Sequence, residues 1–197
     1  MIIGVLSRKG GVGKTTLAVH LAAMLAKQGK TLLVDEDETR NATTWSRSGK
    51  MPFTVAGVME LAREAPRHEH VVIDSRGGMD QASMRDLYKS SDVVVIPVAA
   101  EFMTMTTLVQ TLDVLRDVDP ALGKARVVLT MTRPGRKLDD ARTALADVGP
   151  APIQATVRYS EAFRDATEQG VLVRDVKGNR LAKSCWQDCE EIFRGLA

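Results

Sequence analysis

The chain has 197 residues, 44% hydrophobic and 26% charged, with a formal net charge of +2. That balance fits one sizeable globular core and argues against a surface coated in basic residues. No window approaches the roughly 18 uninterrupted apolar residues of a membrane span. The N-terminus enters an apolar run directly, which predicts no signal peptide. Cys185 and Cys189, four apart in an expected helix, read as reduced core thiols, and the expected location is the cytoplasm. In chain order, strands are expected at 2–7, 31–34, 70–74, 92–97 and 126–131, with a shorter one near 152–156. Helices are expected at 14–27, 55–65, 80–89, 104–118, 137–147, 160–169 and 181–195. Gly29 is expected to end the first helix as a C′ glycine. Continuous runs such as Val93-Val94-Val95-Ile96 are what a parallel strand buried on both faces requires. The alternation predicts an α/β fold, a doubly wound, mostly parallel sheet flanked by helices, with ligands outside the carboxyl ends of its strands. No repeat or linker interrupts it, so residues 1–197 read as one domain.

The most informative stretch is Lys9-Gly10-Gly11-Val12-Gly13-Lys14-Thr15-Thr16. Glycines at 10, 11 and 13 let successive backbone N–H groups turn inward around phosphate oxygens. Lys14 adds a point charge at the β- and γ-phosphates, the Thr15 hydroxyl is placed to ligand Mg²⁺, and the helix N-terminus that follows favours the anion. Ile2–Leu6 before it and Leu17–Leu25 after it supply the strand–loop–helix context of a P-loop. Arg8 stands where the ordinary motif has its first glycine. Lys9 lies outside the nest and could reach across to a nucleotide held by a facing subunit, as a finger residue in trans does. Asp35 and Asp37 end a strand one residue apart, so both side chains could face the phosphates. His70-Val71-Val72-Ile73-Asp74 reads as a Walker B strand, with Asp74 holding Mg²⁺ directly or through water.

The string K-G-G-x-G-K-T-T resembles the deviant Walker A motif of the superfamily of ParA and MinD, the nitrogenase iron protein and the arsenite-pump ATPase. The resemblance implies a P-loop NTPase fold, ATP and Mg²⁺ as cofactors, and a nucleotide-sandwich homodimer in which Lys9 acts in trans. It places Asp35 in the Mg²⁺ shell and assigns Asp37 to positioning or deprotonating the attacking water. Val95-Ile96-Pro97-Val98, Leu129-Thr130-Met131-Thr132-Arg133, Glu161-Ala162-Phe163 and Asn41-Ala42-Thr43-Thr44-Trp45 are similar to segments of small ParA proteins, which places Thr132 and Arg133 near the adenine. Two segments depart from the pattern. Asp37-Glu38-Thr39 stands for the usual Asp-Pro-Gln, and Ser75-Arg76-Gly77-Gly78 replaces the usual second switch.

The type that resembles this chain best is the small plasmid-partition class, which lacks an N-terminal helix-turn-helix domain. It implies slow ATP hydrolysis stimulated by a centromere-binding ParB-type adaptor, an ATP dimer on non-specific DNA, and association with the nucleoid. Residues 121–183 hold 12 Lys/Arg against 7 Asp/Glu, and the candidate DNA contacts are Arg133, Arg136, Lys137, Arg158, Arg164, Arg174, Lys177, Arg180 and Lys183, with Arg158 and Arg164 first. A relative that positions another cargo or assists conjugation is an alternative. So is a membrane-surface ATPase like MinD, although acidic Asp188, Glu190 and Glu191 on the last helix would be repelled by anionic lipid. A metabolic enzyme such as dethiobiotin synthetase would need a further catalytic constellation, and the sequence offers none.

Overall fold

In the computed structural model, which describes residues 1–100, 102–146, 148–150 and 153–196, one sheet runs through the centre. Its strands are β1 (Ile2–Val5), β2 (Thr31–Asp35), β3 (Thr54–Gly57), β4 (His70–Asp74), β5 (Val93–Ala99) and β6 (Ala125–Thr130). They are parallel throughout, in the order β3-β2-β4-β1-β5-β6. The helices are α1 (Lys14–Leu25), α2 (Asn41–Ser46), α3 (Leu61–Glu64), α4 (Gln81–Ser90), α5 (Phe102–Arg116), α6 (Arg136–Ala146), α7 (Ala162–Gln169) and α8 (Ala182–Arg194).

Strand side chains alternate between two cores, which is why the β runs are apolar throughout. Ile3, Val5, Leu33 and Val72 pack with α1, α7 and α8 on one face. Leu32, Val34, Ile73, Val94 and Ile96 pack with α4, α5 and α6 on the other. The expected doubly wound α/β sheet is therefore present. The chain leaves β1 between β4 and β5, so the loop after β1 sits where the strand order reverses, the usual place for a ligand in such sheets.

Some expected elements need correction. The helix expected at 55–65 is instead β3, a 3-10 turn at Val58–Glu60 and the single turn α3. Thr54, Val55, Ala56 and Gly57 pair with Leu32 through Asp35 along the edge of the sheet, and Pro66 limits the helix that follows. The strand expected near 152–156 begins on residues outside the described set, and 153–156 form none. Ile153 N–H donates to the Val127 carbonyl and Val157 N–H to that of Leu129. Four residues are thus spread over two of the neighbour, which breaks a regular ladder. Gly29 is not a left-handed cap, because α1 ends at Ala26 in right-handed geometry. Its use is close approach: a Cβ there would lie 2.8 Å from the Glu69 carboxylate. Both cysteines are buried in α8, and burial raises both thiol pKa values. The apolar side of α8 is spent inside the protein, against α1 and α7. Among the described residues no helix is long and apolar enough to cross a membrane.

Candidate nucleotide site

The loop after β1 turns sharply at Gly11 (φ 75°) and Gly13 (φ 86°), a conformation that side chains disfavour. A Cβ at Gly10, Gly11 or Gly13 would meet nothing within 4 Å, so the concavity is open. Val12 anchors the loop from below, buried, with its carbonyl accepting the Thr130 hydroxyl at 2.8 Å. Arg8 takes a structural role through its carbonyl, which accepts the N–H of Gly78 at 3.1 Å and docks the 75–78 loop on the head of the P-loop. Lys9 is half-buried, and its carbonyl accepts Lys14 Nζ at 3.3 Å.

Lys14 is only 7% exposed. Burial lowers its pKa, against the fields of Asp74 and Asp37, which raise it. Asp74 is fully buried, and neither carboxylate oxygen has a hydrogen-bond partner of good geometry. Burial pushes its pKa up to about 7, with the Thr15 hydroxyl close enough to oppose that rise. An orphaned buried carboxylate beside a threonine hydroxyl and a phosphate cradle fits a hard divalent cation. No group of three or more His, Cys, Asp or Glu among the described residues could hold a metal alone. Mg²⁺ suits such a site, since it takes one or two protein oxygens and the rest from phosphate and water.

Asp35 sits beside Asp74 in register at the strand ends. Its Oδ2 accepts the Thr43 N–H at 2.8 Å and the Thr43 hydroxyl at 2.7 Å, and Oδ1 accepts the Asp37 N–H at 3.2 Å. It thereby caps α2 from eight positions upstream and braces the loop between them. Asp37 is held below the ordinary carboxylate range by hydrogen bonds from Thr39, with Lys14 contributing. Lys14, Asp37 and Asp74 therefore share one field.

Next to the P-loop lies a cavity of about 230 Å³ bounded by Gly13, Thr16, Leu17, Met131, Tyr159 and Phe163 among others. Thr132, next in sequence to the lining residue Met131, is buried and bonded to Thr156 and the Val157 carbonyl. Arg133 stacks on the Tyr159 ring at 4.4 Å. A planar base would suit this mostly apolar hollow. Met131 lies inside the 129–133 segment already singled out, but Tyr159 escapes sequence reasoning because nothing local marks it. Only its position beside the P-loop brings Tyr159 into the site.

The nine basic candidates differ in their local partners. Arg158 and Arg164 line the cavity beside the P-loop. Arg158 is committed to Asp188 at 2.6 and 2.7 Å, and Arg164 pairs with Glu161 and Glu168. Arg174 lies over the Trp186 ring, and Arg136 with Lys137 opens α6. Lys177 and Arg180 are exposed on the segment leading into α8, and Lys183 is exposed in its first turn. Arg158→Ala is expected to cost about 2 kcal/mol of stability, because it leaves the nearly buried Asp188 without its cation. Urea titration checks this, and an unchanged midpoint would release Arg158 for another role.

Behind the P-loop, His20 on α1 is fully buried among Trp45, Phe163 and Trp186. Its Nε2 accepts the Val173 N–H at 3.2 Å, so Nδ1 carries the proton and donates to the Thr16 carbonyl at 2.6 Å. Trp45 donates to the Val171 carbonyl at 2.9 Å.

A glycine cradle between a parallel strand and a helix, a lysine in it and two acidic strand ends beside it together define a P-loop nucleotide site. A family model described as the CobQ/CobB/MinD/ParA nucleotide binding domain matches residues 3–192, and the chain belongs to that family. It is 32% identical over 206 residues to maintenance of carboxysome distribution protein A of Gloeobacter kilaueensis, covering 100% of this chain and 92% of that protein. It is 30% identical over 195 residues to the chromosome-partitioning ATPase Soj of Thermus thermophilus, covering 78% and 75%. An Asp-to-Ala variant of Cyanothece McdA in complex with ATP has the same fold, with a TM-score of 0.78 at 18% identity over 99% of this chain and 95% of that one. ATP with Mg²⁺, expected from the resemblance, is what ATPases of this family use.

Proposed function

We propose that the chain is a ParA-type positioning ATPase. ATP-loaded copies pair face to face, hold DNA without sequence preference, and let go when an adaptor on the cargo triggers hydrolysis. The carrying observation is the orphaned Asp74 carboxylate beside an open phosphate cradle, with Lys14 in the field of both it and Asp37. In this reading Thr15 and Asp74 hold Mg²⁺, with Asp35 bracing the switch and joining the metal shell through its remaining lone pair. The cation neutralises phosphate charge. Lys14 and the N–H groups of residues 10–16 hold the phosphates, and Thr132, Arg133 and their surroundings hold the base. Asp37, kept anionic, accepts a hydrogen bond from the attacking water. Lys9 completes the site of the facing copy.

The full-length likeness to a carboxysome distribution protein favours a cargo other than a replicon. Plasmid or chromosome partition, with a ParB-type adaptor, is the second reading and is favoured by the likeness to Soj. Both need DNA binding by the ATP state. Binding to random duplex should require ATP and Mg²⁺ and weaken steeply with salt, and Lys9→Ala should lose it while still binding ATP. Arg136→Ala and Lys137→Ala should each flatten the salt slope by about one unit if they touch phosphate. Gel shifts with ATP, ADP and no nucleotide decide the matter. Equal binding in all three states, or none in any, would overturn the reading.

A further inference from the structure

Asp37 Oδ1 accepts two hydrogen bonds from one residue, the Thr39 N–H at 2.9 Å and the Thr39 hydroxyl at 2.6 Å. The Thr39 oxygen in turn accepts Asn41 Nδ2 at 2.8 Å. A hydroxyl has a single proton, and here it is spent on Asp37, so the chain runs one way: Asn41 amide to Thr39 to Asp37. Arg40, in the left-handed region at φ 50°, reverses the backbone between Thr39 and Asn41. Asp35 fixes the other end by accepting the Asp37 N–H. With Oδ1 filled, the lone pairs that Asp37 can offer to a water are those of Oδ2. Thr39 occupies the place where the resembling family usually has glutamine, so the usual family pattern does not supply this hydroxyl.

We propose that Thr39, braced by Asn41, is a positioning residue for hydrolysis: it ties down Oδ1 of Asp37 and leaves Oδ2 aimed at the attacking water. This rests on the reading of Asp37 given above. A carboxylate on an exposed loop would otherwise rotate among several directions, and a water held by it would rotate too. Fixing one oxygen removes that freedom before ATP arrives, which acts on turnover and not on nucleotide affinity.

The test compares Thr39→Val, Thr39→Ser, Asn41→Leu and Asp37→Ala, measuring kcat for ATP and, separately, ATP affinity by calorimetry. Valine keeps the shape and the backbone N–H but removes the hydroxyl. Thr39→Val is expected to lower kcat about tenfold, on the scale of one well-placed hydrogen bond, with ATP affinity unchanged. Thr39→Ser should restore the rate, and Asn41→Leu should fall between. A wild-type kcat in Thr39→Val, a parallel loss of kcat and affinity, or no rescue by serine would overturn the proposal. Asp37→Ala separates the two levels. If it hydrolyses normally, the reading of Asp37 fails. If it is inactive while Thr39→Val is normal, only the role of Thr39 fails.

Discussion

Lys14→Ala is expected to weaken ATP binding about 100-fold, the cost of losing a contact worth about 3 kcal/mol at the phosphates. Lys14 is the buried cation at the glycine nest, and backbone N–H groups alone cannot replace a buried ammonium. The nucleotide-free fold should survive. Burial already disfavours the charged lysine, and this is the cause of its lowered pKa. Calorimetric titration with ATP and Mg²⁺ gives the affinity, and circular dichroism checks the fold. Unchanged affinity would remove the phosphate role of this loop.

A second large effect is expected in stability against pH, with nucleotide absent and Mg²⁺ chelated. His20 is pushed down to about 4 from 6.5, chiefly by burial. Its neutral form therefore stabilises the fold fully above pH 6.5, and that stability, about 3 kcal/mol, is lost as pH falls towards 4. Asp74 moves the other way, raised to about 7 from 3.8 by burial. Protonated, it buries no charge. As pH rises from 3.8 to 7 the folded state holds a proton that the unfolded state has released, and about 4 kcal/mol is lost. The two slopes oppose each other between pH 4 and 6.5. Asp74→Asn should remove one of them. The variant is expected to match wild type near pH 4, to exceed it above pH 7, and to show the acid loss due to His20 without its counterweight. Urea unfolding from pH 4 to 8 in EDTA checks this, and parallel profiles for the two proteins would contradict it.

The P-loop was legible because its chemistry is local: eight consecutive residues carry the turn, the charge and the hydroxyl. The sheet was legible for a similar reason, since each central strand announces itself by its own apolar run. What escaped depended on partners distant in sequence. Helix α2 has poor intrinsic formers and is capped by Asp35, eight residues before Thr43. The short edge strand β3 takes its identity from β2, and the turn after it mimics a helical pattern. Arg158 reads as a free cation until Asp188, thirty residues later, is seen against it. The place of Asp35 in the site was visible, but not its bracing of Asp37 and Thr43.

The cluster around His20 gives the molecule an optical gauge of its own. The chain has two tryptophans, Trp45 on α2 and Trp186 on α8, with ring centroids 5.6 and 5.9 Å from the same imidazole. That imidazole hangs from the Thr16 carbonyl at the end of the P-loop. A shift of α2 relative to α8 would change the surroundings of one or both indoles, so ultraviolet emission from the unlabelled protein reads the spacing of those two helices without any added probe.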